Sequence, residues 1–93
     1  MASQVHAFHI LVRTEEVAKQ VLVDLKKGIA FQKIAMERSL CPSKSRGGDL
    51  GWFGRGQMVR PFELASFSLR KGELSQPVKT EFGWHVIKVA DVR

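Results

Sequence analysis

Helices packed on a small, mainly antiparallel sheet, an α+β architecture, is the fold class this sequence predicts, and three observations predict it. The chain opens and closes on stretches of alternating character, 4–12 and 84–92, which is the period of a strand. Between them lie segments whose apolar residues recur at helical spacing and end on glycine or proline. And 93 residues suffice for one modest core but not for two, so a single domain over 1–93 is expected.

In residues 4–12, apolar or β-prone side chains fall on both faces. Val5, Ala7, His9 and Leu11 lie on one, and His6, Phe8, Ile10 and Val12 on the other, which predicts a central strand covered on both sides. Thr14 then suits an N-cap, Glu15 and Glu16 suit the positive end of a helix dipole, and Val17, Ala18, Val21, Leu22 and Leu25 form a helical stripe. Lys26, Lys27 and Gly28 stop that helix. A shorter one is expected over about 30–39, with Phe31, Ile34 and Ala35 buried and Lys33 paired with Glu37 on the solvent side. Pro42 ends it, because proline disfavours helical geometry in the residue before it.

The stretch 47–56 holds five glycines, too many for a helix or a long strand, although one short strand fits within it. Yet Leu50, Trp52, Phe53, Met58 and Phe62 sit between or just beyond them. Large apolar groups among glycines suit a loop that folds back to wall a cavity; they equally suit an ordinary loop whose aromatics plug one end of the core. Before it, residues 43–46 read as a mobile Ser/Lys/Arg loop. After it, Pro61 fits the first position of a third helix with Phe62, Ala65 and Leu69 along one side, and Lys71-Gly72 closes that helix. Residues 73–80 read as an extended edge segment, since Pro77 lacks the donor a central strand needs. Glu81-Phe82-Gly83 makes a turn into the last strand, where His85, Ile87 and Val89 alternate with Trp84, Val86, Lys88 and Ala90.

Composition narrows the function classes. No apolar run approaches the roughly 20 residues of a membrane helix, so no membrane partner is expected. The opening Met1-Ala2-Ser3-Gln4 shows no basic region leading into an apolar stretch, and a single cysteine suits a reducing compartment, so a cytoplasmic location is expected. The net charge of +6 raises nonspecific affinity for polyanions, but the basic residues are spread along the chain without a nucleic-acid motif, so no specific nucleic-acid partner is expected.

Chemistry-bearing residues are sparse. His9 and His85 lie in the first and last strands; were these neighbours, the two imidazoles could hydrogen-bond to each other. Cys41 could complete a His/His/Cys metal set, although no close-spaced ligand pair accompanies it, or could pair with a histidine as a nucleophile. Satisfied core histidines and an inert small cysteine account for the same residues.

Several segments together resemble the parvulin family of peptidyl-prolyl cis/trans isomerases, the PpiC-type rotamase domains. They are His6-Ala7-Phe8-His9-Ile10-Leu11-Val12, Ser39-Leu40-Cys41-Pro42-Ser43, Arg46-Gly47-Gly48-Asp49-Leu50-Gly51-Trp52-Phe53, Gly56-Gln57-Met58-Val59-Arg60-Pro61-Phe62, Ala65-Ser66-Phe67 and Thr80-Glu81-Phe82-Gly83-Trp84-His85-Val86-Ile87. They occur in the family's order over nearly the whole chain. The resemblance implies a parvulin (FKBP-like) fold, a four-stranded mainly antiparallel sheet surrounded by helices with the first and last strands adjacent at its centre. It implies an isomerase acting on proline-containing polypeptides as a monomer, with no cofactor and no metal. It assigns His9, Cys41 and His85 to the catalytic site, and Leu50, Met58, Phe62 and Phe82 to substrate binding. A non-catalytic peptide-binding module using the same groove is the alternative.

One departure from part of the family bears on substrate choice. Its phosphate-directed members carry a basic loop between the first strand and first helix, whereas here Val12-Arg13-Thr14-Glu15 passes directly from one to the other. Glu15 and Glu16 would repel a phosphate carrying about −1.5 to −2 charge, so no phosphate specificity is expected.

Overall fold

A computed structural model describes residues 2–93; Met1 lies outside the described residues. Four strands form one antiparallel sheet: β1 (Gln4–Val12), β2 (Asp49–Gly54), β3 (Val78–Thr80) and β4 (Gly83–Val92), in the spatial order β2-β1-β4-β3. The first and last strands are thus central neighbours. Three helices, α1 (Glu15–Lys26), α2 (Phe31–Arg38) and α3 (Arg60–Ser68), cover it.

The alternation along β1 and β4 separates two cores, one on each face of the sheet. On one face Ile10, Val12 and Val86 meet Ala18, Val21 and Leu22 of α1 and Phe31, Ile34 and Ala35 of α2. On the other, Val5, Ala7, Ile87 and Val89 meet Phe53 of β2 and Phe62 of α3. His9 and His85 share this second face, because Ala7, His9 and Leu11 stand opposite Val89, Ile87 and His85 in register. Thr14 caps α1, its Oγ1 accepting from Val17 N at 3.2 Å, an interaction typically worth about 1 kcal/mol.

Five local expectations give way to the structure. Residues 42–46 form a short 3₁₀ helix, Pro42–Arg46, rather than a loop: Pro42 presets its first turn, and Gly47, with a left-handed φ of 67°, closes it by donating to Lys44 O. Lys33 and Glu37 form no ion pair among the described residues; instead Arg38 Nη1 reaches Asp24 Oδ2 at 2.6 Å and ties α2 to α1. That bond, with help from Gln20, holds the Asp24 carboxyl below its ordinary pKa although burial opposes it. The third helix begins at Arg60, so Pro61 is its second residue, which still needs no intrahelical N–H bond. That helix ends at Ser68, short of Lys71-Gly72, with Leu69 as its extended C-cap; Leu69 and Ala65 still pack partly buried on the second core, and Ser66 is buried beside them, its hydroxyl donating to Phe62 O at 2.9 Å. Last, 73–80 pairs as a ladder only over Val78–Thr80; upstream of Pro77 the chain meets β4 through a single bridge, Leu74 with Lys88, and through Ser75 N donating to Ile87 O.

The glycine-rich stretch becomes a tight entry into β2. Gly48, at φ +90°, accepts from His9 N at 3.0 Å and donates to Ser43 O at 2.9 Å, so β1 and the 3₁₀ helix meet on its backbone. A Cβ there would stand 2.5 Å from His9 O. Asp49, next in the chain, uses Oδ1 to accept from Gly51 N at 2.8 Å and lies 2.7 Å from His6 Nε2 across the strand pair.

Gly48→Ala and Gly51→Ala separate backbone strain from steric collision. Both glycines have positive φ, but a Cβ at Gly51 meets nothing within 4 Å. Chemical denaturation is expected to show Gly51→Ala costing about 1–2 kcal/mol for the left-handed conformation alone. Gly48→Ala should cost more, because β1 must also move. Equal costs would mean that the close approach to His9 is not a constraint.

Candidate functional site

All seven residues singled out for the site line one groove of about 570 Å³: His9, Cys41, Leu50, Met58, Phe62, Phe82 and His85. Each arrives from a different part of the fold. β1 supplies His9 and β4 His85; the link after α2 supplies Cys41, β2 Leu50, the turn before α3 Met58, α3 itself Phe62, and the β3–β4 turn Phe82. Leu11, Leu40, Pro42, Gln57 and Val59 complete the lining, and apart from Gln57 they extend its apolar character. None of these five was singled out for the site; Leu11 shares the strand face of His9, and the other four neighbour Cys41 or Met58 in sequence.

Phe62, 3% exposed, forms part of the floor, its ring edge-on to both His9 (centroids 5.5 Å apart) and His85 (5.1 Å). At the mouth stand Phe82 and Leu40, 62% and 52% exposed. Such exposure of two large apolar side chains flanking one groove marks a surface suited to an apolar ligand. Cys41, partly exposed in the same lining, is fixed by Ser39, whose Oγ accepts from both Leu11 N (3.0 Å) and Cys41 N (3.3 Å). Leu40 N donates to Leu11 O at 2.8 Å, so the Cys41 wall is tied to the end of β1.

Below the groove, the two imidazoles stack at 5.1 Å with their Nδ1 atoms 2.9 Å apart. A further member of the network, invisible in the sequence pattern, is Thr80: its Oγ1 lies 2.7 Å from His85 Nε2 and accepts from Phe82 N at 3.1 Å. Two proton placements fit this chain. If the Thr80 hydroxyl donates to His85 Nε2, His85 carries its proton on Nδ1 and donates it to His9 Nδ1, and every donor along the chain is used except His9 Nε2–H. In the reverse direction His9 donates from Nδ1, His85 donates from Nε2 to Thr80, and the one unused donor is the Thr80 hydroxyl instead. In both directions His9 Nε2 is buried and without a partner among the described residues. Burial lowers both pKa values to about 4, with His85 adding to the effect on His9, so both rings are neutral at pH 7. Among the described residues no three His, Cys, Asp or Glu side chains gather to hold a metal ion.

The pair links protonation to stability. Between about pH 6.5, the ordinary histidine value, and about pH 4, the unfolded chain takes up protons that the native pair refuses, so stability is lost as pH falls through that window. Thermal unfolding is expected to reveal this loss, and His9→Gln to shrink it. His85→Ala, which strands both His9 and Thr80, should cost about 1–3 kcal/mol and more than His9→Ala. Equal pH slopes in wild type and His9→Gln would contradict neutral burial of the pair.

Comparison with known proteins agrees with this geometry. A family model described as the PPIC-type PPIase domain (rotamase) matches residues 9–91. The foldase protein PrsA of Geobacillus kaustophilus is 54% identical over 89 residues, which are 95% of this chain and 32% of that protein. The crystal structure of PrsA from Bacillus subtilis superposes with a TM-score of 0.93 at 47% identity, covering 96% of this chain and 35% of that one. NmPin, the parvulin of Nitrosopumilus maritimus, gives a TM-score of 0.88 at 41% identity, covering 98% of this chain and 99% of its own. The chain thus spans about a third of the PrsA proteins and nearly all of NmPin. With its antiparallel sheet in the same arrangement and the family's pattern running through the groove and the histidine pair, this chain belongs to the PPIC-type peptidyl-prolyl isomerase domains, the parvulins.

Proposed function

We propose that the chain is a peptidyl-prolyl cis/trans isomerase for X-Pro bonds in unfolded or flexible polypeptides, working without covalent chemistry and without phosphate specificity. The observation that carries this reading is the character of the groove: apolar walls over two neutral, buried imidazoles. Rotation about an X-Pro bond must break amide resonance, a barrier of about 18–20 kcal/mol, and requires no nucleophile. A twisted amide separates less charge than a planar one. An apolar pocket therefore disfavours the planar ground state more than the transition state.

In this reading Leu50, Met58 and Phe62 hold the proline ring, and Phe82 contacts the chain beside it. Clamping the ring restricts the bound amide to geometries near the twisted one. His9, His85 and Cys41 set the hydrogen-bonding character around the carbonyl, an electrostatic contribution. Support for an undirected substrate preference lies in the two-residue link Arg13-Thr14 between β1 and α1, which leaves no room for a basic loop. Lys44 and Arg46, on the 3₁₀ helix, are exposed cations worth at most about 1 kcal/mol each toward an anion. An apolar residue before proline, fully buried against Leu40 and Phe82, gains roughly 1.5–3 kcal/mol.

Exchange spectroscopy on Leu-Pro, Glu-Pro and phosphoserine-Pro peptides of equal length, at moderate salt, tests both halves of the proposal. Leu-Pro is expected to give the highest kcat/KM; a phosphopeptide preferred by about tenfold would reverse the electrostatic reasoning. No acceleration of any peptide would leave a binding module in place of an enzyme.

Cys41→Ser and Cys41→Asp are expected to keep measurable turnover, since rotation makes and breaks no bond. A substrate-derived adduct on Cys41, detected by intact mass, would overturn the noncovalent mechanism.

A further inference from the structure

The wall of the groove that carries Met58 is a turn, not a regular element. Residues 55–59 connect β2 to α3, with Gly56 at φ +86°, and belong to no helix or strand. A side chain presented from such a segment is positioned only as well as the segment's backbone donors are held. Two side-chain oxygens hold them. Gln57 Oε1 accepts from Gly54 N at 2.6 Å, closing the turn on itself. Glu63, in the first turn of α3, reaches back across it: Oε1 accepts from Gly56 N at 2.5 Å, while Oε2 lies 4.0 Å from Arg55 Nη1. The Glu63 side chain is only 12% exposed, and the Arg55 guanidinium is stacked over the Phe67 ring at 4.3 Å.

Glu63 therefore sits where a helix meets a turn, with one oxygen on the backbone amide two residues before Met58. One residue earlier, Phe62 of the same helix is in the floor of the groove. We propose that Glu63 is a positioning residue for the isomerase site: it fastens the Met58 wall to the Phe62 floor and so fixes the width of the proline pocket. The inference rests on the isomerase reading above and adds to it a residue that touches no substrate. Reach comes first, because the short bond goes to a backbone N–H that an amide oxygen can also meet, a carboxylate meeting it more strongly, while the cation lies at the limit of an ion pair.

Three substitutions separate these contributions. Glu63→Gln keeps an oxygen at the same reach and removes the charge; Glu63→Asp keeps the charge and shortens the reach; Glu63→Ala removes both. With a Leu-Pro peptide well below the melting temperature of every variant, Glu63→Ala and Glu63→Asp are expected to lower kcat/KM about tenfold, and Glu63→Gln to stay within about threefold of wild type. Hydrogen exchange at the Gly56 amide should accelerate in the first two and not in the third, while the signals of His9 and His85 stay in place. Full turnover in Glu63→Ala, or Glu63→Gln no better than Glu63→Ala, would overturn the proposal. If wild type itself fails to accelerate exchange, the isomerase reading falls separately. Affinity for the same peptide, with Gly56 exchange, then decides whether Glu63 sets the pocket, a loss in Glu63→Ala and Glu63→Asp alone supporting it and unchanged affinity overturning it.

Discussion

The structure depends on one pairing, β1 against β4, between residues that stand at opposite ends of the sequence. His9 and His85 are 76 positions apart, yet their hydrogen bond is among the most buried polar contacts of the fold. Everything else hangs on that central ladder. α1 and α2 cover one face of it, α3 and β2 the other, and the groove opens where the second face is not roofed over. Loop-closure entropy must be met before such a contact returns any free energy, so the ladder is stable only in company with both cores. The histidine pair thereby joins the two strands by an Nδ1–Nδ1 hydrogen bond within an apolar face and lines the groove with neutral rings.

Much of this was legible in the sequence because alternation and helical spacing report directly on which face is buried. The face assignments in β1 and β4 agree with the structure residue by residue, since a central strand leaves few ways to place Val5, Ala7, Ile87 and Val89. Thr14, Gly28 and Pro42 marked their boundaries for equally local reasons. The adjacency of the two end strands was not local information; it came from resemblance to the parvulins, and so did the gathering of Cys41 with the two histidines.

What stayed hidden was long-range polar satisfaction. Thr80 looked like the last residue of an edge segment, and nothing in its neighbourhood signalled that its hydroxyl would end the chain His9–His85–Thr80. Ser39, which holds Cys41, and Ser66, which lies buried beside Phe62, are small polar residues whose burial depends on a hydrogen bond to a backbone amide or carbonyl. Asp24, which no pattern singled out, is buried in an ion pair with Arg38 of α2. Periodicity finds apolar faces; hydrogen-bond closure needs the tertiary arrangement.

The bond from Asp49 to Gly51 has a bearing on self-association. β2 is a sheet edge, and an edge normally offers its unpaired amides as a template on which another extended chain can add itself. Here Asp49 Oδ1 and Gln57 Oε1 already occupy the amides of Gly51 and Gly54, leaving fewer free donors along a strand of six residues. A template so interrupted gives a poor register for growth by strand addition. On this edge the two side-chain oxygens thus act against β-aggregation.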